Sequence, residues 1–179
     1  MAFLVESGYN YVVTLFTIWA LGGFAVPLCT THPIHEMLYT VTDSDSTVLL
    51  ATERFESKIR ELAAEVAKES RETRAIYIIP RHPPCIGNSI PELVESPISD
   101  PMRHALMIYT SGTTGKPKVC LDSRLSDHKG VVSAHKTVQA QIDSLVKYWR
   151  VTQNDRIVHV LPLHHIHGIV NALLVLLWV

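Results

Sequence analysis

Residues 109–118 read YTSGTTGKPK, and each residue type in that stretch suits an anion. Gly112 and Gly115 let the backbone fold back and aim its N–H groups at one point. Thr110, Ser111, Thr113 and Thr114 add hydroxyl donors, and Lys116 and Lys118 add positive charge. Together these are the ingredients of a loop that wraps a polyphosphate. The spacing is not that of a Walker A loop. The pattern G-x-x-x-x-G-K-[ST] would need glycine at Thr110 and a hydroxyl residue where Pro117 stands. On residue types alone, a solvated Ser/Thr/Gly turn is the competing reading.

A second constellation is LPLHHIHG, residues 161–168, which with His159 gathers four histidines: His159, His164, His165 and His167. Histidine is the commonest metal ligand, so a metal must be considered. The spacing argues against one. His165 and His167 could chelate only from a loop, and no cysteine or carboxylate follows nearby. No metal is therefore expected. His159 and His164 are read as groups that satisfy local backbone atoms.

These residues need elements to hold them. The 179-residue chain has the size of one ordinary domain and buries roughly two-thirds of the surface exposed by its unfolded form. Its 16 basic and 17 acidic residues nearly balance, which gives no reason to expect a nucleic-acid partner. Cys29, Cys85 and Cys120 are widely spaced and odd in number, which fits free thiols in an intracellular, reducing compartment. Residues 11–28 carry no charge and approach the length of a membrane span. Gly22, Gly23 and Pro27 break that run, and no basic residue precedes it. A buried helix over 9–21 followed by a short strand, FAVPL, is the preferred reading, and no stable membrane insertion is expected.

Beyond it, the pattern predicts helices over 33–42 and 55–70 and strands over 47–51 and 75–79. A Pro-rich connection follows over 80–101. A strand over 105–109 delivers the chain into the Gly/Thr loop. A helix starting at 134 or 135 runs to about 149, a strand covers 155–163, and an apolar helix begins at 167. Strands alternating with helices imply an α/β architecture with a mostly parallel sheet and flanking helices.

YTSGTTGKPK closely resembles the phosphate-loop signature of the adenylate-forming superfamily, which includes acyl-CoA synthetases, luciferases and peptide-synthetase adenylation domains. LPLHHIHG falls where that family keeps a second motif ending in an aromatic or histidine pair. FTIWALGGFAVPLCTTHP resembles the helix and strand that precede both. Within the family, the His-His-Ile-His form is most similar to the malonyl-CoA synthetase branch.

The resemblance implies an acid–CoA ligase that uses ATP with Mg2+ and coenzyme A to activate a small carboxylic acid, malonate or similar. It implies that Thr110, Ser111, Gly112, Thr113, Thr114, Gly115, Lys116 and Lys118 bind the nucleotide. It further implies a catalytic role for His165 beside the adenylate, with His167 and Gly168 lining the acyl pocket. The compartment expected is cytoplasmic or mitochondrial.

The departures from the family pattern carry expectations of their own. The family runs GKPKGVVxxH without interruption, whereas residues 119–129 here separate Lys118 from Gly130. Removing them restores GKPKGVVSAHK. The segment is read as an aberrant insertion, exposed and mobile, with a natural loop extension as the alternative. The chain also lacks the family's ribose-gripping acidic residue, hinge and C-terminal domain with its catalytic lysine. It starts abruptly and ends on LLVLLWV without a cap, so residues 1–179 are expected to be an incomplete central slice of the AMP-binding N-terminal domain, inactive alone. The rival readings are a non-catalytic nucleotide-binding fragment and a small membrane-anchored protein.

Overall fold

Short parallel strands buried on both faces build the centre of the fold. The computed structural model describes residues 1–70, 73–80, 100–109 and 130–179. Strand β1 (Ala2–Leu4) pairs in parallel with β2 (Val26–Pro27) on one side and β3 (Val48–Thr52) on the other, and β3 pairs in parallel with β4 (Ala75–Ile79). The sheet order is β2-β1-β3-β4. Strand β5 (His104–Ile108) lies beside the β2 edge through a parallel bridge between Ala25 and Leu106, in which Ala25 N–H donates to Ala105 O and Met107 N–H to Ala25 O, both at 2.9 Å. Strand β6 (Val131–Ala134) then returns antiparallel to β5, with Val131 opposite Ile108.

The two-residue period of a strand sorts side chains to opposite faces. In β1, Phe3 joins a core with Tyr11, Leu15, Ile18 and Trp19 of α1 (Tyr9–Ala20), Val138 and Ile142 of α4 (His135–Trp149), and Ile169, Val170 and Leu174. Its neighbours Ala2 and Leu4 enter a second core with Met37 and Val41 of α2 (Ile34–Asp43) and Ile59, Leu62, Ala63 and Val66 of α3 (Glu56–Ser70). Helices therefore cover both faces, as a parallel sheet requires. This is the α/β architecture, with a mostly parallel sheet and flanking helices, that the pattern implied.

Helix α1 stops at Gly22, whose φ of 80° suits glycine, and it buries Tyr11, Thr14, Leu15, Ile18 and Trp19 against the sheet. Among the described residues no helix is long and apolar enough to cross a membrane. Helix α4 ends at Arg150 in the left-handed region (φ 56°), and that turn redirects the chain toward the histidine motif.

One expectation needs correction. Residues 155–163 form no strand. Ile157, Val158 and Val160 are exposed, and no described strand lies beside them to take their backbone hydrogen bonds. The last element also differs in detail: His167–Leu174 winds as a π-helix before α5 (Val175–Trp178) continues it. Most of the Pro-rich connection, and the segment 119–129 expected to be an exposed excursion, lie outside the described residues.

Candidate functional site

In parallel α/β sheets, ligands bind beyond the carboxyl ends of the strands. At that edge β5 delivers Tyr109, the residue immediately before the Gly/Thr loop. Its hydroxyl donates to Asp43 Oδ2 at 2.6 Å, and its ring meets Tyr39 edge-on with centroids 5.8 Å apart. Burial, helped by the Asp43 carboxylate, pushes the Tyr109 phenol far above its ordinary range, so it stays a hydrogen-bond donor. The residue that enters the loop is thus fixed from two sides by α2. Thr110, Ser111, Gly112, Thr113, Thr114, Gly115, Lys116 and Lys118 themselves lie outside the described residues. The described flanks do fix where their segment starts and ends: Ile108 and Val131 are paired, so the connection leaves and re-enters the sheet at one place.

The histidine motif is anchored from behind. The buried Tyr11 hydroxyl donates to Leu163 O at 2.5 Å, and His165 N–H donates to Pro162 O at 3.3 Å. Ile169 N–H then donates to His165 O at 3.0 Å and starts the helix. Gly168 is demanded here by space. A Cβ on it would lie 2.2 Å from the Pro162 carbonyl oxygen, a backbone atom with no room to retreat. On the other side, a His159 ring nitrogen lies 2.9 Å from Gly168 O, in keeping with the local backbone role expected for it.

The His164 and His165 rings pack at a tilt of 47° with centroids 4.1 Å apart, and His164 also meets the His32 ring at 5.7 Å. Burial first, and then the neighbouring His165 and His32, lower the His164 pKa to about 4, so it is neutral at ordinary pH. It is not simply a satisfied backbone partner, because it stands in a cluster with Cys29 and His32. One ligand atom from each of the three lies within 4.8 Å of the others.

His167 is tied elsewhere. Its Nδ1 lies 2.9 Å from Asn171 Nδ2, and Asn171 Oδ1 accepts from Gln141 Nε2 of α4 at 2.7 Å. The Asn171 amide then donates to Nδ1, which puts the proton of the neutral ring on Nε2, an exposed donor. The structure therefore brings His165 beside His164, which itself meets His32 after β2, and it holds His167 through the second turn of its own helix.

Cys29 and His32 were not singled out from sequence. The signal that could have found them is the spacing C-x-x-H in CTTH, the segment to which the fold returns the histidine pair from more than a hundred residues away. The objection that no cysteine follows the histidine motif holds along the chain but not in space.

The family described as AMP-binding enzyme matches residues 1–178. Over its whole length the chain is 37% identical to "Malonate–CoA ligase ACSF3, mitochondrial" of Homo sapiens, of which it covers 28%. It is 39% identical over 97% of its length to a protein of Gibberella moniliformis named CoA ligase, of which it covers 26%. Among solved structures, ATP-bound MatB from Rhodopseudomonas palustris is similar with a TM-score of 0.74 at 26% identity, covering 99% of this chain and 33% of MatB. The chain thus spans about a quarter to a third of the proteins it matches.

Proposed function

The chain belongs to the AMP-binding enzyme family, and from that premise we propose that its parent protein is an AMP-forming acid–CoA ligase acting on malonate or a similar small acid. The observation that carries this reading is the 37% identity to a malonate–CoA ligase across the entire chain. In the first step a carboxylate oxygen attacks the α-phosphorus of ATP, which arrives with Mg2+, and pyrophosphate leaves. In the second, the sulfur of coenzyme A attacks the acyl carbon, AMP leaves, and the thiol proton passes to solvent.

The protein's share in the first step is positioning and charge neutralisation, since a carboxylate anion must approach three phosphates. We assign Thr110, Ser111, Gly112, Thr113, Thr114 and Gly115 to the β- and γ-phosphates with Lys116, and Lys118 as an outer charge. His165 sits with the reacting carboxylate or phosphate. His167, with Gly168, faces the acyl pocket. Its Nε2–H, oriented through Asn171, is a suitable donor to a second carboxylate.

The test uses the full-length protein with residues 119–129 removed, assayed by pyrophosphate release. His167→Ala should cut catalytic efficiency for malonate roughly ten- to a hundredfold, the value of one charge-assisted hydrogen bond, and spare propionate. His165→Ala should lower turnover for every acid. Equal losses for malonate and propionate in the His167 variant would reject the dicarboxylate role, while a full-length protein without CoA-ligase activity toward any acid would reject the reading itself.

The 179-residue chain alone, spanning 28% of the human relative, is proposed to be non-catalytic. Malonate-dependent pyrophosphate release by it would overturn that. Of the two compartments expected, the relatives named mitochondrial favour the mitochondrion, and fractionation of cells expressing the full-length protein tests this.

A further inference from the structure

From the ligand geometry around the loop after β2, we propose that Cys29, His32 and His164 form a binding site for one divalent transition-metal ion, zinc by the chemistry of its ligands. One donor atom from each lies within 4.8 Å of the other two. Around a tetrahedral zinc ion with bonds of about 2.0–2.3 Å, ligand atoms stand roughly 3.3–3.6 Å apart. Small side-chain rotations close that difference. One thiolate with two imidazoles is a set that favours zinc over the harder magnesium or calcium, which prefer oxygen.

The surroundings are arranged as a metal site needs. Cys29 is buried, and His32 N–H donates to Cys29 O at 3.2 Å, so a tight turn presents two ligands together. Lys58 Nζ donates to Thr30 O at 2.9 Å and pins that turn to α3. Glu36 Oε2 lies 3.0 Å from His32 Nδ1, which orients the imidazole and leaves its other nitrogen for the ion. Carboxylates in that position commonly orient metal-bound histidines. Thr31 Oγ1 stands 3.2 Å from the Cys29 sulfur and can steady the thiolate. Three protein ligands leave a fourth position for water. The ion would clamp the loop after β2 onto the histidine motif and fix His164, whose ring packs on His165. This proposal does not depend on the ligase reading, and its test does not use ligase activity.

The experiment titrates the purified 179-residue chain with Co2+ and follows the thiolate-to-cobalt charge-transfer absorption, then displaces cobalt with Zn2+. One equivalent should bind and show the thiolate band, and Zn2+ should remove it. Cys29→Ser should abolish the band, whereas Cys85→Ser should leave it. His32→Gln, at an exposed position that does not endanger folding, should weaken Zn2+ binding at least tenfold. Glu36→Gln should weaken it about ten- to a hundredfold. Absence of a thiolate band at stoichiometric cobalt, a band that survives Cys29→Ser, or unchanged zinc affinity in His32→Gln would each overturn the site.

Discussion

Strand β3, with the sequence VLLAT, and the run IVHVL inside residues 155–163 are both rich in the apolar and β-branched residues that favour strands. They end differently. In β3, Leu49 and Ala51 are fully buried, and the backbone pairs with β1 on one side and β4 on the other. In the later run, Val158 is 84% exposed and Val160 80%, and no described strand pairs with either. The difference teaches that an apolar alternating sequence confers the capacity to be a strand. A neighbouring backbone with free N–H and C=O groups turns that capacity into structure.

That comparison can be broken most directly in the core. Leu49→Ala should destabilise the chain by about 2–5 kcal/mol in denaturant titrations, because it opens a cavity between β3 and the second core. A loss below about 1 kcal/mol would mean that β3 is no better packed than the exposed run. Gly168→Ala should cost about 1–3 kcal/mol, since its methyl group would meet the Pro162 carbonyl oxygen and nothing there can repack. If Gly168→Ala melts like the unaltered chain, the turn between the exposed run and its helix is looser than the structure shows.

Acid sharpens the comparison at the histidine pair. The folded His164 pKa is about 4 against 6.5 for an unperturbed histidine. The unfolded chain therefore takes up a proton on this residue between those values while the folded chain does not. Stability falls as pH drops from 6.5 to 4, and above 6.5 this histidine contributes no slope. His164→Gln should flatten this part of the stability profile measured by urea unfolding in metal-free buffer, and an unchanged profile would remove the packed, desolvated ring from the account. The smallest effect belongs to Val158→Ala, within about 0.5 kcal/mol of zero. Amide hydrogens of Val158 and Val160 should also exchange far faster than those of Leu49 and Leu50. Equal protection would erase the contrast between the two segments.

The same physics explains what could be read in advance. Helices α1, α3 and α4 have long one-sided apolar patterns, and their expected limits agree with the structure to within a residue or two. Strand β4 was legible over its full span, 75–79. Strand β1 was not, because three residues at a chain start are too few to display a period. Strand β6 was missed for a similar reason, lying in four residues directly ahead of a helix. At the site, the resemblance pointed to His165, His167 and Gly168 as candidates, whereas the steric demand at Gly168 needed the position of Pro162. Along the chain Cys29 and His32 show only as C-x-x-H, and their meeting with His164 needed the fold that returns the histidine motif to the segment after β2.

The pairing of Ile108 with Val131 has a consequence for assays. Because the ladder holds the two ends of the connection 109–130 together, lengthening that connection adds to the closure entropy of a ring whose ends are already fixed. Doubling such a ring costs about 0.6 kcal/mol. Residues 119–129 make up half of the connection, so on closure entropy alone their presence costs little. A thermal melt is therefore a weak reporter of the length of this connection, and an assay of ligand binding is the sharper one.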